Sequence, residues 1–144
     1  PDMDLTLLDS LDKRVGFLRD TCALLGFDDV ECVHARAEEA ARERRESYDF
    51  AVARAVARLE LLCELCLPFV KVGGSFIAMK GPDCSGEVND AARAVSMLGG
   101  QLCPIVSYTV PGTDAVHSLV IIEKCRPTPE KYPRRWAQIK KSPL

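Results

Sequence analysis

Short apolar runs alternate with helical stripes along most of this chain, and this alternation restricts its fold more than any other feature. Residues 5–8 read as a short strand running into an acid, Asp9. Leu11, Val15, Leu18, Cys22 and Leu25 then recur at spacings of four and three, one face of a helix that Gly26 ends. Residues 30–33 read as a second strand. Residues 36–46 are charged nearly all round and predict at most a short exposed helix. Residues 48–53 read as a third strand, and Leu61, Leu62, Leu65 and Phe69 mark a helix closed by Val72-Gly73-Gly74. Residues 75–79 are apolar throughout, so a strand buried on both faces is expected. Val88, Ala91, Ala92, Val95 and Leu98 give another stripe, with Ser85 as N-cap and Gly99-Gly100 as stop. Residues 102–110 and 117–123 read as two strands, antiparallel because Pro111-Gly112-Thr113-Asp114 joins them so tightly. Such an order predicts an α/β fold: a mostly parallel sheet with helices on both faces, closed by a hairpin.

Charge is distributed unevenly. The whole chain carries 19 basic and 21 acidic residues, net -2. Residues 124–144 hold seven basic residues against Glu130 alone, a segment of +6, which leaves residues 1–123 at -8. We therefore divide the chain into a body, 1–123, and a basic C-terminal tail, 124–144. An acidic body with a basic edge is the asymmetry of a chain that meets a polyanion. Arg126, Lys131, Arg134 and Arg135 are the candidate phosphate contacts. Tyr132 and Trp136 lie among them, suited either to stacking on unpaired bases or to docking the tail on the body.

Other function classes find little support. No apolar run approaches the roughly 18 residues needed to span a bilayer, and no charged-then-apolar leader opens the chain. A cytoplasmic protein with no membrane partner is expected. The chain starts Pro1-Asp2-Met3 and reads as a fragment. Seven cysteines, an odd number, lie mostly in apolar runs and read as reduced core residues. Cys63 and Cys66 have CxxC spacing, but no second pair or ligand-spaced histidine follows, so packing is expected and no metal. His34 and His117 have no metal-spaced partners.

Ligands of open α/β sheets bind at the carboxyl ends of strands, which singles out a few side chains. Asp9 ends the first strand, where an acid can accept both hydroxyls of a ribose or can cap the next helix. Ala37 and Glu38 follow the second strand, where backbone N–H groups and a carboxylate suit an adenine edge. Glu38 is equally a first-turn acid favoured by the helix dipole. Arg54 follows the third strand amid small residues, and Lys80-Gly81 ends the fourth.

Segments along the chain resemble one family. LLDSLDKRVGFL, HARAEEAA, YDFAVARAVA, LCLPFVKVGGSFIAMKG, KYPRR and KKSPL stand in the order and spacing of the RsmG (GidB) family, S-adenosylmethionine-dependent 16S ribosomal RNA guanine-N7 methyltransferases. The ARAVA and KYPRR segments are the specific ones. The resemblance implies a Rossmann-like class I methyltransferase sheet with a final antiparallel strand, S-adenosylmethionine as cofactor, and 16S rRNA or the small ribosomal subunit as partner. It makes Asp9, Ser10, Ala37, Glu38 and Arg54 cofactor contacts. It implies no catalytic side chain, because guanine N7 already offers a lone pair. The family's first strand and Gly-rich loop have no counterpart here, so residues 1–123 are expected to be a partial domain. In that arrangement the strands ending at Asp9 and Val52 are not hydrogen-bonded to each other. The alternative is a non-catalytic RNA- or ribosome-binding module that keeps the basic tail; a third reading is a nucleotide-binding α/β protein of other activity.

Overall fold

Parallel strands need a crossover between them, and the chain supplies one at its start. Strand β1 (Thr6–Asp9) leads through helix α1 (Asp12–Leu25) to β2 (Glu31–His34), and the two strands pair in parallel from Thr6↔Glu31 to Asp9↔His34. The computed structural model describes residues 3–54 and 56–144; Ala55 of the ARAVA segment and the first two residues lie outside the described residues. Two compact units are present, residues 1–40 and 41–144.

In the first unit, α1 ends at Gly26, whose φ of +71° suits glycine and whose N–H bonds Ala23 O at 3.2 Å. Of the expected apolar stripe, Val15 and Cys22 are buried, whereas Leu11 and Leu25 are exposed. A sheet of two strands is too narrow to cover the stripe of a 14-residue helix. Helix α2 (Ala37–Glu43) follows β2. It is less exposed than its charge suggests, since Glu38, Ala40 and Ala41 are buried.

The second unit holds β3 (Tyr48–Arg54), α3 (Leu59–Cys66), a 3₁₀ turn (Leu67–Phe69), β4 (Val70–Lys80), α4 (Ser85–Met97), β5 (Gly100–Leu102), β6 (Val106–Thr109), β7 (Val116–Lys124) and α5 (Trp136–Lys141). Its strand order is β3-β4-β7-β5, with β6 also on β7. β3 and β4 are parallel; β7 alone runs against its neighbours β4, β5 and β6. β1 and β3 belong to different sheets, as expected.

The core of this unit lies between α3, α4 and one face of the sheet. Phe76 and Ala78 of β4 alternate inward and face Ile122 and Val120 of β7, under Leu59, Leu62, Ala91, Ala94 and Val95. The expectation of β4 buried on both faces is corrected: Ser75, Ile77 and Met79 are only half-buried. Both α3 and α4 pack on the face that Phe76 and Ala78 present.

Three further expectations change for local reasons. The helix α3 stops at the 3₁₀ turn containing Pro68, not at Gly73-Gly74. Those glycines lie inside β4, where the pairing jumps from Tyr48↔Val70 to Phe50↔Ser75. Gly73 has φ +91°, and a Cβ on Gly74 would stand 2.3 Å from Asp49 O. The expected strand over 102–110 splits into β5 and β6 around Pro104, which has no N–H for the ladder, yet both halves pair with β7.

Residues 124–144 lie in the second unit with residues 41–123. Lys124 ends β7 with its side chain fully buried; Nζ donates to Leu67 O (2.7 Å) and Val70 O (3.1 Å) and meets Glu46 Oε1 at 3.2 Å. Burial lowers the Lys124 pKa from its ordinary value, and Glu46 partly offsets this. Glu46 also accepts the Thr128 N–H at 2.7 Å. Thr128 Oγ1 donates to Leu98 O at 2.9 Å.

The β3–β4 ladder depends on the close approach at Gly74. Gly74→Ala is expected to destabilise the protein by about 1–3 kcal/mol, measured as a lower urea midpoint with an unchanged slope.

Candidate functional site

The carboxyl end of the β1–β2 sheet gathers four of the residues singled out in the sequence. Asp9 and His34 are the last ladder pair, and the chain carries on from them into Ser10 and into α2. The Ala35 N–H donates to Asp9 O at 3.2 Å, and His34 Nε2 lies 3.2 Å from Ser10 O. These bonds hold the two strand ends side by side. Ala37 and Glu38 open α2, and the Glu39 and Ala40 N–H groups that follow both donate to Arg36 O at 3.0 Å.

Asp9 does not cap α1 as its N-cap residue, which is Leu11. Its Oδ1 accepts the Leu11 N–H at 2.9 Å, an Asx turn, and its Oδ2 accepts from Arg14 Nη1 at 3.3 Å. An ionised carboxylate has about four acceptor sites. One contact on each oxygen leaves room for a diol, and the side chain is 24% exposed. Glu38 is buried, with Arg36 Nη1 at 4.0 Å from its carboxylate. The residues present fit a nucleoside: an acid with spare lone pairs, and across the ladder the start of α2.

Arg54 is the last residue of β3, paired with Met79 of β4, and is exposed in the second unit. The approach to α3, at Ala57 and Leu59, is braced from β4 and α4. Lys80 Nζ donates to Ala57 O at 2.9 Å and to Glu87 Oε2 at 2.7 Å. Glu87 Oε2 also accepts the Leu59 N–H at 2.9 Å, which supplies α3 with an acceptor for its first turn. Burial raises the Glu87 pKa, but the Lys80 and Leu59 hydrogen bonds outweigh it and hold the group below its ordinary value. Lys80, at the carboxyl end of β4, thus braces Ala57 and the start of α3. Arg58 braces the same helix start, bonding Asp90 at 2.7 Å and Glu60 at 3.0 Å.

The basic residues of the tail separate into two kinds. Arg134 is not a free phosphate contact. Its Nε meets Glu64 Oε1 at 2.9 Å, its Nη2 meets Oε2 at 2.6 Å, and its backbone N–H meets Oε1 at 2.8 Å. Glu64 is fully buried in α3, so Arg134 is its counter-ion, and that hydrogen bonding raises the Arg134 pKa. Arg126, Lys131 and Arg135 are exposed. Arg126 Nη2 reaches Ser96 O at 3.1 Å, and Lys131 Nζ stands 5.2 Å from the Tyr132 ring centroid. Tyr132 is 5% exposed and its ring carries Arg134 at 6.0 Å as well, so it docks the tail and does not offer a stacking face.

Sequence reasoning missed Arg42 and Arg45, which line a cleft with Lys131 and Tyr132. They lie in a charge run, and nothing local distinguishes them from solvated arginines. The CxxC cysteines are packed: burial pushes Cys66 up to about 12 and Cys63 higher still. Among the described residues no group of three metal-ligating side chains converges, and no helix is long and apolar enough to cross a membrane.

A model of the rRNA small subunit methyltransferase G family, GidB, matches residues 1–113. The chain belongs to the GidB family. The chain is 51% identical over 146 residues to the Ribosomal RNA small subunit methyltransferase G of Alkaliphilus metalliredigens, covering 100% of this chain and 61% of that protein. It thus spans about 61% of the length of the curated relatives it matches. Among solved structures, an rRNA methylase from Streptococcus thermophilus superposes with TM-score 0.58 at 17% identity, over 84% of this chain and 73% of that one. TYW2 from M. jannaschii, in complex with AdoMet, gives TM-score 0.64 at 12% identity, over 84% and 58%. At such identities the likeness is one of fold, and the fold is the class I methyltransferase sheet with one antiparallel strand, which this GidB chain was expected to have.

Because the folded Glu87 carboxyl titrates below its ordinary 4.5, its contribution to stability is present above that pH and is lost as pH falls through the folded value. Chemical denaturation between pH 3 and pH 6 is expected to show wild-type stability falling more steeply below about 4.5 than that of Glu87→Gln.

Proposed function

We propose that the protein containing this chain transfers a methyl group from S-adenosylmethionine to guanine N7 of 16S rRNA, in the cytoplasm and with the small ribosomal subunit as its target. Family membership supports the activity, and one structural observation supports the site: Asp9, Ser10, Ala37 and Glu38 share the carboxyl end of one parallel strand pair. S-adenosylmethionine supplies an electrophilic methyl when bound. Asp9 would accept the ribose hydroxyls on the lone pairs that Leu11 and Arg14 leave open. The α2 start, with Ala37 and Glu38, would read the adenine edge. Arg54, the last residue of β3, would be a further cofactor contact contributed by the second unit.

The chemistry asked of this chain is binding and orientation. Guanine N7 carries an available lone pair, so the attack needs no general base, and positioning with electrostatics supplies the acceleration. Arg126, Lys131 and Arg135 would contribute phosphate contacts, while Arg134 keeps the tail against α3.

Calorimetry with S-adenosylmethionine tests the cofactor site. Asp9→Ala is expected to weaken binding about tenfold, the worth of roughly one good hydrogen bond to a charged group. Equal affinity in wild type and variant would contradict the assignment of Asp9. Labelled methyl transfer to a 16S rRNA transcript, with 7-methylguanosine as the product, tests the reaction; label in any other nucleoside would contradict it.

A further inference from the structure

A cleft of about 460 Å³ lies in the second unit, lined by Arg42, Arg45, Glu130, Lys131, Tyr132 and Pro133. Three cations face one acid, a local reversal in a chain whose residues 1–123 are net -8. Arg42 is in the last turn of α2, and Arg45 follows three residues later. The Arg45 guanidinium donates to Tyr132 O at 2.8 Å, Pro129 O at 3.1 Å and Thr128 O. Carbonyls fix a guanidinium without cancelling its charge. Glu46, the acid next in sequence, is instead engaged by Lys124 and the Thr128 N–H. Arg45 is thus a rigid positive wall. Arg42 and Lys131 are exposed at the mouth, and among the described residues neither pairs with a carboxylate.

The volume is that of sites for nucleotide-sized groups and exceeds what one phosphate ion fills. The aromatic ring in the wall is buried and already faces Lys131 and Arg134, so it offers no platform for a base. Cations without a stacking face recognise a backbone and ignore its sequence. Building on the reading of an RNA substrate, we propose that this cleft holds the phosphodiester backbone of RNA, with Arg42 and Lys131 as phosphate contacts and Arg45 as the fixed charge behind them.

The test is fluorescence anisotropy with two single-stranded RNA oligonucleotides of equal length and unrelated sequence, titrated at several salt concentrations. The proteins are wild type, Arg42→Gln alone, Arg42→Gln with Lys131→Ala, and Arg93→Ala as a charge-loss control on α4. The double variant is expected to bind both oligonucleotides about tenfold more weakly. Its log-log salt slope should be smaller by about 1.4, two contacts at roughly 0.7 each. Arg42→Gln, an exposed change that leaves the fold intact, should show about half of that slope change. Undiminished affinity in the double variant overturns the cleft, as does an equal loss in Arg93→Ala, which would assign the effect to overall charge. Inorganic phosphate that binds wild type but not the double variant, while both bind RNA equally well, would make this a free-phosphate site and also overturn the proposal. Absence of RNA binding by wild type would overturn the RNA-substrate reading itself, and this proposal with it.

Discussion

A carboxyl group taken wholly out of water needs a counter-charge and hydrogen bonds to offset its lost hydration. Glu64, on the inner side of α3, is such a group, and Arg134 answers it with its side chain and its backbone N–H. Much of the second unit is arranged around this pair. It fixes where the chain must return after β7, and it brings Tyr132 into the core beside α3. Losing one member of a buried pair costs about 3–5 kcal/mol, so the tail is part of the fold. A fully buried cation, Lys124, does similar work at the end of β7, closing on Glu46, on the Leu67 carbonyl of the turn before β4 and on the Val70 carbonyl at its start. Between them the two pairs fix the 128–132 segment, to which Arg45 then adds three carbonyl contacts. The basic cleft exists because these contacts hold its walls.

The chemistry of the family asks little of side chains, and the structure is consistent with that economy. The candidate cofactor residues do their work by standing at strand ends. Asp9 is oriented by Leu11 and Arg14, and the approach to α3 at Ala57 and Leu59 is held by Lys80 and Glu87. In both places a charged group that looks like a ligand contact in the sequence also makes local bonds that set the backbone. Asp9 retains acceptor capacity after those bonds; Lys80, with Glu87 and Ala57 O as partners, serves the approach to α3.

What the sequence revealed follows from the range of the forces involved. Strand and helix order, the hairpin at Pro111–Asp114 and the carboxyl-end placement of Asp9, Ala37 and Glu38 were legible because periodicity and turn chemistry act over a few residues. The Gly73-Gly74 pair misled because a glycine required by close approach to Asp49 looks the same as one that stops a helix. The stripe of α1 misled because periodicity says which face is apolar, not how much sheet is there to cover it. The tail misled most. Its seven cations are alike in the sequence, and their roles are set by partners far away: Glu64, seventy residues before Arg134, and Glu46, opposite Lys124. Arg42 and Arg45 escaped notice for the same reason, since only the return of the chain turns that charge run into the wall of a cleft.

The central claim is that residues 124–144 are a fixed part of the fold whose buried bonds present the remaining cations. Native-state amide hydrogen exchange tests it most directly. The N–H groups of Thr128, Tyr132 and Arg134, which donate to Glu46, Pro129 O and Glu64, should be protected to a degree comparable with the paired amides of β4 and β7. Exchange of these three amides at the rate of an unstructured chain, while β4 and β7 stay protected, would contradict it.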